Sequence, residues 1–148
     1  MKLGARSMEG SLLELINEAK EEILILSYSM THGAERILKA IEGALSRGVK
    51  LTMIINHIEA LDDGILSTLK EMMENYTHCK IYAFRWSEKS ELHAKLLISD
   101  RVAAIVGSSN LTSKGLVWNL EIGFLINDRT VWTLANMVDR ISETSMLI

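Results

Sequence analysis

Cysteine occurs once, at Cys79, in a chain of 148 residues. An internal disulfide is thereby excluded, and so is a metal site built on several thiolates. Proline is absent altogether, and with it any Pro/Ser-rich linker that would mark a domain boundary. Long hydrophobic runs are missing too: apolar runs such as those around residues 23–26 and 51–55 are far too short to span a bilayer. The first ten residues, MKLGARSMEG, lack the apolar stretch of a secretory signal, which points to a cytoplasmic protein. Nor is there an excess of basic charge. Sixteen Lys and Arg face nineteen Asp and Glu, for a net charge of −3. A strong, indiscriminate polyanion binder is usually basic, so any contact with nucleic acid must rest on a local patch.

What is present is a soluble, core-forming composition, 48% hydrophobic and 24% charged, in a length that suits one domain. Ser11 and Glu14 form a capping box for a helix over residues 11–22, with residues 1–10 as a flexible extension. EILILSYS follows as a strand. Ile37, Leu38, Ile41, Ala44 and Leu45 make one apolar stripe over residues 33–47, with Gly48 as the stop. VKLTMIIN reads as a strand, residues 63–76 as a helix, KIYAF as a strand and RWSEKSE as a polar loop. LHAKLLIS and VAAIVGS are then separated only by Asp100-Arg101, which predicts a tight hairpin. NLEIGFLIN gives one more strand, and residues 130–143 a closing helix. Early strand–helix alternation with a late hairpin implies a single α/β domain over residues 11–148, a mixed β-sheet flanked by helices on both faces.

One strand is odd. In LHAKLLIS, His93 and Lys95 stand two apart and so share a face, while Leu92, Ala94, Leu96 and Ile98 can face the core. An edge strand with a solvated polar start would account for the pair alone. The following strand, however, ends in Gly107-Ser108-Ser109-Asn110, where backbone N–H groups and small donors can converge on an anion. That loop also suits an ordinary turn with a helix cap.

Together, His93-x-Lys95-x4-Asp100-x6-Gly107-Ser108-x-Asn110 resembles the full signature motif of the phospholipase D superfamily. Asn119-Leu-Glu121 resembles its downstream Asn/Glu element, and the segment from ILILSYS to MIIN its first strand–helix–strand unit. The resemblance implies breakage or transfer of phosphodiesters without a metal or other cofactor. One histidine attacks phosphorus to give a phosphohistidine, and a second protonates the leaving oxygen. This chain carries one copy of the motif, so it is most similar to the short nuclease-like members, which complete the site by homodimerising. The implied catalytic set is His93, Lys95, Asn110, Glu121 and Ser108. Lys95 and Asn110 would supply donors to the charge that grows on the phosphoryl oxygens. Glu121 is the candidate to hold a histidine's second ring nitrogen. Asp100 sits at the hairpin turn and reads as structural.

Gly107, Ser109, Lys114, Trp86 and Trp118 are candidates for substrate binding, since an aromatic flanked by cations suits stacking on bases and contact with phosphates. Each tryptophan equally suits a core or a dimer interface. His32 and His57 follow predicted strands, where α/β ligands bind, and serve either substrate or a surface loop. His78 beside Cys79 is no metal pair. The expectation is a homodimeric endonuclease acting on DNA or RNA, with no membrane partner. A phospholipid or small-phosphodiester enzyme is the alternative, as is a non-catalytic nucleic-acid-binding module of a larger system.

Overall fold

Strands with consecutive apolar residues need cover on both faces, and β1 (Glu22–Ser27), with Ile23 to Leu26, and β4 (Leu96–Ser99), with Leu96 to Ile98, are of this kind. The computed structural model describes residues 7–148 and supplies that cover. Seven strands form one sheet in the order β6-β5-β4-β1-β2-β3-β7. β1, β2 (Lys50–Ile55) and β3 (Cys79–Ala83) run parallel. β4, β5 (Ala103–Gly107) and β6 (Gly123–Ile126) continue the sheet antiparallel. The sheet is mixed, as the sequence implies. Alternation along β1 divides the core: Ile23 and Ile25 pack under α1 (Met8–Glu18), α2 (Glu35–Ser46) and α3 (Asp63–Asn75). Leu24 and Leu26 pack on the other face against Val131, Ala135 and Val138 of α4 (Thr130–Thr144).

Several boundaries differ from the sequence reading. Helix α1 begins at Met8, capped by the Ser7 hydroxyl, which accepts from the Gly10 N–H at 3.0 Å. Ser11 is thus already inside the helix, its hydroxyl donating to the Ser7 carbonyl at 3.1 Å. Residues 8–10 therefore belong to the domain, and residues 1–6 lie outside the described residues. The helix over residues 33–47 opens with a 3-10 turn, His32–Ala34, before α2 proper. Gly48 has φ +89°, as a stop in the left-handed region should. A single π-helical turn, Lys114–Trp118, and a two-residue strand, β7 (Met146–Leu147) on β3, have no signal in the apolar periodicity.

The hairpin and its turn positions match the sequence. Asp100 and Arg101 both take positive φ, +52° and +55°, the pattern of a type I′ turn. The strand before the turn is shorter than expected. Only residues 96–99 join the ladder to β1, and residues 92–95 form an extended lead-in. Leu92 is buried, but Ala94 is exposed rather than in the core. At the other end of NLEIGFLIN only residues 123–126 pair with β5, which leaves β6 as a sheet edge. Phe124 and Leu125, which point to opposite faces, are both exposed.

Candidate active site

Because β4 runs antiparallel to both β1 and β5, its N-terminal end lies beside their C-terminal ends. His93 and Lys95, the segment after β1, the loop after β2 and the residues after Gly107 therefore meet at one edge of the sheet. The Lys95 Nζ lies 2.9 Å from His93 Nδ1 and also donates to the His93 carbonyl at 3.0 Å. Burial pushes the Lys95 ammonium below the usual lysine range, and the Glu121 carboxylate partly opposes this. An ammonium has donors only. The Nδ1 facing it must accept, so the proton of the neutral imidazole sits on Nε2.

Glu121 accepts from the Ser108 hydroxyl and, at 3.2 Å, from the Asn119 side-chain amide. Within the chain it does not bond His93. The Asn110 Oδ1 is buried and lacks a hydrogen-bond partner among the described residues. Its loop is tightly built: a Cβ on Gly115 would stand 2.4 Å from the Asn110 carbonyl oxygen, so only glycine lets the π-helical turn close on that loop.

A family profile described as "Cardiolipin synthase, PLD-like domain" matches residues 12–143. The chain belongs to the phospholipase D superfamily. It is 32% identical to cardiolipin synthase B of Salmonella typhi over 126 residues, 83% of this chain and 29% of that protein. It is 26% identical to the DISARM protein DrmC of Bacillus paralicheniformis over 127 residues, 84% of this chain and 52% of that protein. The chain thus spans about half of one relative and under a third of the other. In fold it is similar to Nuc, a phospholipase D family member from Salmonella typhimurium. The TM-score is 0.80 at 22% identity, covering 94% of this chain and 89% of Nuc.

The superfamily signature is spread over both ends of the hairpin. Asp100 stands five positions beyond Lys95, about 16 Å of extended chain. At the turn, Asp100 accepts three backbone N–H bonds from the entry to β1: Lys20 at 2.9 Å, Glu21 at 2.8 Å and Glu22 at 2.9 Å. The expected cradle of backbone donors at Gly107 and Ser108 is spent on the ladder. The Gly107 N–H donates to the Lys95 carbonyl at 3.2 Å and the Ser108 N–H to the Ile122 carbonyl at 3.1 Å, because strand pairing continues through both. Ser109 is turned inward as well, its buried hydroxyl donating to the Gly115 carbonyl at 2.7 Å. Lys114 and Trp118 lie exposed on the π-helical turn. Trp86 lies on the opposite side of the motif strand, in a cleft of about 610 Å³ with Leu92, Met137 and Arg140.

Two further residues hold the site, and motif reading misses both. Asn56, buried after β2, accepts the Leu92 N–H on its Oδ1 at 3.0 Å and so fixes the backbone next to His93. The Tyr28 ring lies 4.4 Å from the His93 ring. Their only sequence signal is position, just past the ends of the central parallel strands. His57, with φ +48°, turns its ring nitrogens to Glu91 at 3.2 Å and Glu59 at 3.4 Å. These two carboxylates raise its pKa, Glu91 most. His32 lies exposed beside Glu35 and Asp62. His78 hydrogen-bonds the Leu45 carbonyl at 2.9 Å, and burial pushes the Cys79 thiol up to about 11. No helix among the described residues is long and apolar enough to cross a membrane.

Proposed function

We propose that this chain is a phosphodiesterase of nuclease type, with a site completed by a second copy and chemistry that needs no metal. One observation carries the reading: His93 and Lys95 stand side by side at the sheet edge, with Asn110 and the Ser108–Glu121–Asn119 group carried by the neighbouring strand and loop. In the first step the His93 Nε2 lone pair attacks phosphorus and the bond to the leaving oxygen breaks. The partner's His93 gives that oxygen its proton. In the second step the partner's His93, now neutral, takes a proton from water, whose oxygen attacks phosphorus and releases His93. Lys95 and Asn110 face the negative charge of the phosphoryl oxygens.

The resting tautomer bears on this mechanism. With Lys95 on Nδ1, the Nε2 carries hydrogen and cannot attack. A bound phosphate attracts Lys95 away, and a carboxylate must then take the Nδ1–H; Glu121 is the candidate. The reading of a two-copy site rests also on the surface around Glu121. Val117, Trp118, Leu120, Ile122, Phe124 and Leu125 are all exposed, Leu120 to 97%, along and beside an open sheet edge. This many exposed apolar side chains on a free edge support a reading in which a second copy covers them. The match to 89% of Nuc gives a relative in fold of about the same size, whereas this chain matches only 29% of the cardiolipin synthase.

The test is cleavage of labelled single- and double-stranded DNA and RNA in EDTA, with phospholipid vesicles assayed in parallel. Cleavage of a nucleic acid, with a covalent adduct on acid quench, is expected. His93→Ala should abolish both. Cleavage of none, or equal cleavage by the variant, refutes the reading. Head-group release from vesicles alone would favour a lipid phosphodiester, in line with the synthase relatives.

A further inference from the structure

The Tyr28 ring contacts three groups at this edge. It lies against His93 with centroids 4.4 Å apart and planes tilted 46°. The Lys95 ammonium stands 5.0 Å from its centroid, within cation–π range. His57 meets it edge-on at 6.2 Å. The backbone that carries the ring is fixed from both sides. The Ser27 carbonyl accepts from the Asn56 N–H at 3.0 Å, and the Ser29 carbonyl from the Leu111 N–H at 3.2 Å. Tyr28 is therefore clamped between the loops that follow β2 and β5, at the end of the central strand β1.

His93 has less support of its own. It is exposed, precedes the ladder, and among the described residues its only side-chain hydrogen bond is to Lys95. That bond must break when Lys95 turns to a phosphate. The aromatic face stays in place through that exchange of Nδ1 partners and restrains the imidazole plane while it happens.

We infer that Tyr28 is a positioning residue, a rigid aromatic platform that sets the ring plane of His93 and holds Lys95 poised beside it. This rests on the phosphodiesterase reading for its catalytic consequence, but not for the contact itself. The contribution comes from the ring face, so phenylalanine should replace tyrosine and an aliphatic side chain should not.

The experiment compares the full chain with Tyr28→Phe and Tyr28→Leu by proton NMR of the histidine rings and by steady-state cleavage of an oligonucleotide in EDTA. In the wild type, Overhauser contacts between the Tyr28 and His93 ring protons are expected. The His93 resonances should be displaced by the ring current, equally so in Tyr28→Phe and no longer in Tyr28→Leu. Tyr28→Leu should lower kcat about 10–100-fold, the scale for a misplaced reacting group, with KM little changed. Tyr28→Phe should restore kcat. Absence of the Overhauser contacts in the wild type overturns the platform, even if Tyr28→Leu does not fold. Unchanged kcat in a folded Tyr28→Leu overturns its catalytic role. Contacts present in a wild type that cleaves nothing would instead overturn the phosphodiesterase reading and leave the platform standing.

Discussion

Replacing Asp100 should cost stability and spare chemistry. Its carboxylate accepts three backbone N–H bonds, two on Oδ1 and one on Oδ2, and ties the hairpin turn to residues 20–22. A hydrogen bond to a charged acceptor contributes about 1.5–3 kcal/mol when both groups are shielded. Here the amides of Lys20 and Glu21 are exposed and regain water, so the loss in Asp100→Asn is set at about 2 kcal/mol. Asparagine tolerates the φ of +52° at this position, whereas alanine does not. Asp100→Ala should therefore be worse by about 1 kcal/mol, and Asp100→Gly should recover that part.

The pH dependence separates the charge from the turn. Partial burial pushes the Asp100 carboxyl up, but the Glu22, Glu21 and Lys20 amides outweigh it and hold it below its usual 3.8. A lowered folded-state pKa stabilises fully above the unfolded value and loses that stabilisation as pH falls through the folded one. The gap between wild type and Asp100→Asn should thus be full at pH 7, begin to narrow below about pH 4 and close only once pH has fallen below the lowered folded-state value. Urea unfolding reads it as a shift of midpoint at constant slope. A gap unchanged at pH 3 refutes the reasoning. So does a folded Asp100→Asn that has lost kcat about 100-fold or more, since a group about 16 Å of strand from Lys95 has no means of acting on the same phosphate.

Gly115→Ala would place a Cβ 2.4 Å from the Asn110 carbonyl oxygen, a backbone clash that forces the loop to move. A loss of about 1–3 kcal/mol is expected in thermal unfolding, with a larger proportional fall in kcat. The His57 ring should titrate above 6.5 by NMR, because Glu91 and Glu59 favour the imidazolium. Those pairings are present at low pH and lost as pH rises through the raised value, and Glu91→Gln should lower the midpoint. Leu120→Glu or Phe124→Lys should convert a sedimenting dimer to monomer, with cleavage lost at dilute protein concentration. A monomeric wild type that is fully active contradicts the two-copy site.

Much of the fold was legible because two periods coincide with burial. The stripe from Ile37 to Leu45 is buried as a helix face, and Asp100-Arg101 forms the turn its two-residue spacing predicts. What was not legible is where pairing stops. LHAKLLIS is uniformly strand-like in composition, yet its pairing with β1 begins only at Leu96, and the Leu92 N–H goes to the Asn56 side chain instead. The same blindness affects the site. Gly107-Ser108 suits an anion cradle by residue type, but whether an N–H is free depends on the neighbouring strand, and both are spent on it. The motif spacing put His93 and Lys95 side by side, as the structure has them, while backbone availability was not readable. Tyr28 and Asn56 act through tertiary contact alone, which no spacing rule encodes.

The hairpin thus divides the signature motif between two tasks. Its turn end carries Asp100 and Arg101, tied to the loop before β1 and to Asp139 of α4 by charge and hydrogen bonds. Its open end carries His93, Lys95 and Asn110, where polar groups are left unspent, Asn110 Oδ1 among them. A strand anchored at one end holds the other in register without placing a structural carboxylate near the phosphate, where its charge would repel substrate. The chain nevertheless brings one signature histidine to that end, and Glu121 is engaged by Ser108 and Asn119 rather than by His93. On the proposed mechanism the missing acid is on the far side of a surface that is apolar and open. Pairing two such surfaces therefore does two things at once: it buries the exposed edge and supplies the second histidine. That is why loss of the dimer and loss of activity should occur at the same concentration.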